Sequence, residues 1–469
     1  MNGITAYPPL RYDFPAGICL TGMAALIWPG ASAAALCFGW AVLYLLLIAS
    51  YRNAPWSCTP GGWLLWGASV ALWTGIAVNC HYYITVLGSG DTSAPVLMNL
   101  DSWSAWNNAL FDNGRRDVMP CPWPAQDYGH LVGMLVYVFG DDFSIPLMFN
   151  SFCALVTVAL TGAIAVRCAG GDLAQRRRMG LTAMVLAASM CYFMVSGTIL
   201  IKDCPLACAI ALTAWASLRM RDRVSVLPVL AIIVAAAGIF YLRKNYMLVL
   251  AAIVFVMQRP SSRRDLVASC AIALSLFGIW LYMQLANSTV PIGSYISLES
   301  SIPDEGDDNS NYGHGAAYTE VLNGYMMLPV WQRVLLVPVV TAIQFLIPLP
   351  WSWSKYLIFG PCMALAHFSF CRYAAGGLLL YFAGRQFGRG RAPHPLLMLT
   401  ATGALLYMAS AFTFGGTIAR YGIPLVALLI PAAAYTWMRY RHERAFRIWC
   451  AVFATGMAVA LTLAYIATT

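Results

Sequence analysis

Charge is scarce in this chain. Only 10% of its 469 residues are Asp, Glu, Lys or Arg, while 60% are hydrophobic. Soluble domains carry about 25% charged residues, so the composition excludes an ordinary water-facing globular fold. Lysine is scarcer still, with three residues against 25 Arg. The 14 Cys show no metal-type spacing, which leaves no zinc framework to argue for. Internal repeats are missing, which counts against an inverted-repeat transporter. No polar stretch is long enough for a separate soluble domain. The formal charge of +9 does not mark a nucleic-acid binder. Most Arg sit in clusters between apolar runs, the pattern by which membrane proteins keep their cytoplasmic loops positive. No nucleic-acid partner is expected.

What is present is apolar sequence, with a mean hydropathy of +0.68. A span needs about 20 apolar residues, and that rule gives an all-α, polytopic membrane protein with about 13 transmembrane helices. Flanking Arg sets their direction. Runs 16–29 and 31–50 form a hairpin, and 62–86 crosses outward. An external loop, 87–128, follows. The segment 128–139 is too short to span and reads as a helix lying on the outer surface. Then 143–166 returns to Arg176, Arg177 and Arg178, 179–200 crosses outward, and 204–218 returns. Segments 224–241, 246–258 and 266–286 continue the alternation. A second external loop, 288–328, carries six acids and no Lys or Arg. The path of 329–350 stays open. Segments 357–384, 395–413, 421–438 and 448–467 complete the bundle. The expected division is an N-terminal hairpin and turn (1–61), a transmembrane core (62–437), and a basic turn with a last helix (438–469). The expected location is the plasma (inner) membrane, multi-pass.

Polar residues at the rim of a membrane bundle are costly and usually serve a site. The external stretch from Asn99 to Asn108 sets Asp101 among Asn and Trp. Asp101 is the best candidate for a general base, since a carboxylate within reach of an attacking hydroxyl can take its proton. Asp also favours the N-cap, so Asp101 equally reads as the cap of a helix over 102–111, and the two roles are compatible. Lys202, Arg243, Lys244, Arg372 and Arg420 break the positive-inside pattern. By this topology Lys202, Arg243-Lys244 and Arg420 fall at external helix ends, on the side of Asp101. Each is explained singly by snorkelling, but together they supply what a lipid phosphate requires. Asp127 and His130 open the surface helix and are candidates to orient an acceptor. Asp203 pairs with Lys202 or another cation. Trp103, Trp106 and Trp123 read as interfacial belt residues. Cys80, Cys121 and Cys204 lie near the external side, where one disulfide can form.

The order of these parts resembles the GT-C superfamily of polytopic glycosyltransferases. That group includes the dolichyl-phosphate-mannose protein mannosyltransferases and the bacterial aminoarabinose lipid A transferases. The likeness rests on Leu100-Asp101-Ser102-Trp103, on the stretch from Pro124 to Leu131, and on Phe139-Gly140-Asp141-Asp142-Phe143. It continues through Lys202-Asp203, Arg243-Lys244 and Arg420-Tyr421-Gly422-Ile423-Pro424. The resemblance implies inverting transfer of a sugar from a polyprenyl-phosphate donor to a lipid-linked glycan, a cell-wall polymer or a protein on the external face. Asp101 would be the base. Arg243, Lys244, Lys202 and Arg420 would hold the donor phosphate, and Asp127, His130, Asp203 and Tyr421 would orient the acceptor. Asp101 is followed by Ser102, where many members have a second acid, so no metal ligand is assigned. Two other readings remain: a polysaccharide polymerase or ligase, and a lipid or solute transporter, which His367 and Arg372 keep alive.

Overall fold

A computed structural model describes residues 31–82, 100–114, 126–140, 142–243, 246–257, 262–286, 325, 328–346, 374–386, 394–414, 424 and 426–468. The described chain is all-α, helices joined by turns, with no strand among these residues. Its helices are α1 (Ala31–Arg52), α2 (Thr59–Tyr82), α3 (Leu100–Asp112), α4 (Gln126–Phe139), α5 (Ser144–Cys168), α6 (Leu173–Ser189), α7 (Cys191–Ser196) and α8 (Asp203–Met220). They continue with α9 (Val226–Leu242), α10 (Tyr246–Val256), α11 (Arg263–Ala286), α12 (Val330–Leu346), α13 (374–386), α14 (Pro395–Phe414), α15 (Val426–Tyr440) and α16 (Arg444–Thr468).

Four of the described helices are long and apolar enough to cross a membrane: Thr59–Cys80, Ser144–Cys168, Arg263–Met283 and Arg444–Leu463. At about 1.5 Å per residue, the 25 residues of α5 reach about 37 Å, more than a hydrocarbon core. Several leave large apolar side chains uncovered. On α16, Val452 and Leu463 are each 62% exposed, and on α11 Leu274 is 69% exposed. Water would penalise such faces, whereas lipid would not.

The chain forms two compact units. The first contains α1 to α5, nearly all of α6, most of α7, the start of α8 and most of α9. Here α2 packs on α5, and α1 lies against both. Trp40 of α1 stacks on Trp73 of α2 at 5.9 Å and donates Nε1–H to Ser69 Oγ at 3.1 Å. The second unit contains α10 to α16. Within it α10 packs on α11 and α14, and α14 on α12 and α15.

The expected outward span 179–200 is not one helix. Helix α6 stops at Ser189, α7 covers only Cys191–Ser196, and 197–202 is not helical. Gly197 allows the break. A Cβ there would lie 3.0 Å from Ala154 Cβ and 3.1 Å from Leu72 Cδ2, so a side chain would have to push these neighbours aside where the backbone settles between α2 and α5. Gly75 of α2 makes the matching concession, because a Cβ there would meet Thr198 Cγ2 at 2.5 Å. The first expected hairpin run, 16–29, and all of the loop 288–328 except Tyr325 and Leu328 lie outside the described residues.

Candidate functional site

The site is built on the helix pair α3 and α4. Gly129 lies against Ala105 and Asn108, and Gly133 against Ala109 and Asn113. Both contact sets advance together along the chain, so the two helices run in the same direction with their N-termini at one end. Asn113 bridges them, donating Nδ2–H to Ala109 O at 2.8 Å and to Gly133 O at 3.0 Å. His130 Nδ1 bonds Asp112 Oδ2 at 2.8 Å, with both side chains well exposed. Helix α4 ends on Gly140, whose φ of +96° is the left-handed turn that releases the chain into α5. Asp142 Oδ1 then accepts from Ser144 N at 3.0 Å and from Ser144 Oγ at 2.7 Å, opening α5.

Two expectations in this region change. Helix α3 begins at Leu100, so Asp101 sits inside its first turn and is not the cap of a helix starting at Ser102. Trp106 is not an interfacial residue. It is 3% exposed and packs edge-on against Phe143, with centroids 5.2 Å apart.

The core of the site is the break at 197–202. Its carbonyls need partners inside the protein, and polar side chains of α2 and α5 supply them. Asn79 donates Nδ2–H to Thr198 O at 2.6 Å and to Thr198 Oγ1 at 3.1 Å. Ser151 Oγ donates to Gly197 O at 2.6 Å. Asn150 donates both amide hydrogens, to Ile199 O and Ile201 O, each at 2.8 Å. Its own Oδ1 accepts from the Tyr128 hydroxyl of α4 at 2.9 Å. Asn150 is fully buried and Tyr128 is 3% exposed. Burial pushes the Tyr128 phenol well above its ordinary range, so it stays a neutral donor at physiological pH.

This clasp ends at the predicted Lys202-Asp203 pair. Lys202 O accepts from Leu206 N at 3.0 Å, which makes Lys202 the cap residue of α8. Lys202 is half-buried, and Asp203, in the first turn, is 2% exposed. The fold therefore gathers the start of α4, which carries Asp127 and His130, with Lys202 and Asp203. Arg243 ends α9 in the same unit, half-buried, with its N–H on Ile239 O at 2.9 Å. Lys244, Arg420 and Tyr421, like His367 and Arg372, lie outside the described residues, and so do the side chains of Asp101 and Asp127. Cys80 and Cys204 are buried free thiols, while Cys121 is outside the described residues. Among the described residues no cluster suits a metal ion.

Sequence reasoning passed over four residues. Tyr128 and Asn150 read as ordinary helix positions. Arg333 is 4% exposed near the start of α12 in the second unit, and its carbonyl accepts from Tyr325 OH at 3.2 Å. Asp112 is the partner of His130, across 18 residues that no local motif links. Arg333 had a signal: like Arg115 and Arg116, it is basic at or next to an expected external loop. Compared with protein-family models, curated proteins and solved structures, the chain matches none.

Proposed function

We propose that the chain is a GT-C-like, multi-pass membrane glycosyltransferase. It transfers a sugar from a polyprenyl-phosphate donor to a glycan, polymer or protein acceptor at the external face of the membrane. Asp101 takes the acceptor proton as its hydroxyl attacks. Lys202 and Arg243 hold the leaving phosphate and balance the charge that develops on it.

One observation carries this reading. Helix α4, to which Asn113 fastens the Asp101 helix α3, and the helix end that bears Lys202 are held on one buried hydrogen-bond network through Tyr128 and Asn150. Group transfer needs its base and its phosphate anchor at fixed positions, because small misplacements cost large factors in rate. The carbonyls of the break also speak against the transporter reading. Transporters use unwound carbonyls to coordinate ions, yet those of Gly197, Thr198, Ile199 and Ile201 already accept protein donors. The test is product formation by the purified protein in lipid discs, from polyprenyl-phosphate sugars and a panel of acceptor glycans. Turnover dependent on Asp101 supports the proposal. Movement of the lipid or sugar across the bilayer without product supports the transporter.

A further inference from the structure

We infer that Tyr128 and Asn150 are positioning residues that aim Lys202 at a lipid-borne phosphate. The inference rests on the transferase reading and deepens it. It starts from how Lys202 is held. The residue before it, Ile201, is 3% exposed and its carbonyl is bonded by Asn150. The residue after it, Asp203, is buried in the first turn of α8. The carbonyl of Lys202 itself closes that turn. The backbone on both sides is thus pinned, while the side chain remains half-exposed.

Lysine suits this task as a compact point charge on a flexible stem. Its weakness as an anchor is rotational freedom, and fixing the Cα removes part of that cost before a ligand arrives. Asn150 does the fixing with every polar atom of its amide in use: two hydrogens to the break and Oδ1 to Tyr128. Tyr128 lies next to Asp127 and two residues before His130 on α4. A displacement of α4 by an arriving acceptor is therefore passed through two hydrogen bonds to the carbonyl preceding Lys202. The phosphate seat and the acceptor helix are mechanically one piece.

The test uses the three lysines of the chain, Lys202, Lys244 and Lys355. Protein in phosphatidylcholine discs is acylated with an amine-reactive reagent, and each lysine is followed by mass spectrometry. The ligands are undecaprenyl phosphate, undecaprenol and inorganic phosphate. Undecaprenyl phosphate is expected to slow acylation of Lys202 about tenfold, as one charge-assisted contact would. Undecaprenol and inorganic phosphate should leave it unchanged. Protection by inorganic phosphate alone would overturn the lipid-borne source. In Tyr128→Phe, which keeps the ring, protection at Lys202 should fall below about threefold. The melting temperature should fall by no more than a few degrees and the acylation of Lys355 should stay parental, which a general loss of structure would not allow. Asn150→Ala should abolish protection. Parental protection in Tyr128→Phe, or none in the parent, overturns the inference. The transferase reading is tested separately, by turnover of Asp101→Asn. An inactive Asp101→Asn with an unprotected parental Lys202 keeps the enzyme and removes this role.

Discussion

Replacing Asn150 by Ala should be among the most damaging single changes in the first unit. It deletes three hydrogen bonds at once, of 2.9, 2.8 and 2.8 Å, and leaves the Tyr128 hydroxyl and the carbonyls of Ile199 and Ile201 without these partners. Side-chain hydrogen bonds in membrane proteins are worth on average about 0.6 and at most about 1.7 kcal/mol. Three of them give about 2–5 kcal/mol. Water entering the gap would move the loss toward the lower end. Tyr128→Phe removes one bond and keeps the ring, so about 0.6–1.7 kcal/mol is expected. Equilibrium unfolding in mixed detergent and dodecyl sulfate micelles measures both. Hydrogen exchange across 197–206 should rise in Asn150→Ala while exchange in α16 stays parental. If Asn150→Ala is no less stable than Tyr128→Phe, the break is held by something other than this amide, and the clasp argument fails.

Three further outcomes are expected. Gly75→Val should destabilise the fold and loosen 197–202, because a Cβ there meets Thr198 at 2.5 Å, and limited proteolysis would report it; unchanged cleavage would mean Thr198 moves aside freely. The Tyr128 phenol has a folded pKa raised by burial, so the folded state holds its proton after the unfolded chain has released it. Stability should be flat in this respect below pH of about 10, fall as pH rises above it, and lose that dependence in Tyr128→Phe. Cysteines placed at Ser310 and Gln175 should label oppositely with an impermeant reagent in intact cells, Ser310→Cys reacting and Gln175→Cys not. The reverse would put the proposed site on the cytoplasmic side.

Much of the architecture is legible in the apolar pattern. The run 143–166 matches Ser144–Cys168 to within one residue at its start, and 204–218, 266–286 and 448–467 fall within Asp203–Met220, Arg263–Ala286 and Arg444–Thr468. The short helix expected over 128–139 is found as Gln126–Phe139. In each case length and hydrophobicity decide, and both are local. The break at 197–202 is illegible for the same reason. Gly197 to Ile201 is apolar or small throughout, and its partners Asn79, Asn150 and Ser151 lie between 46 and 119 residues away in sequence. Hydropathy sees the apolar side chains but not the carbonyls that must be satisfied. Asp112 and His130 are separated by 18 residues and meet only because α3 and α4 run in parallel. Trp106 shows the limit of type-based reasoning, since its ring is buried against Phe143 and not placed at an interface.

The central claim is that Asp101 removes the acceptor proton, and Asp101→Asn tests it most directly. Asparagine matches aspartate closely in size and in helix propensity, so the protein should still fold. The substitution removes the proton acceptor, and loss of a general base costs about 10²–10⁴-fold in rate. The matched control is Asp172→Asn, which keeps an oxygen for the Gln175 N–H that Asp172 Oδ1 now accepts at 2.7 Å. Asp112→Asn does not serve as a control, because Asp112 is bonded to His130. Measured as product formed from a polyprenyl-phosphate sugar in lipid discs, the rate should fall at least about a hundredfold in Asp101→Asn and stay parental in Asp172→Asn. Parental turnover in Asp101→Asn would contradict the assignment of the base and the reading built on it.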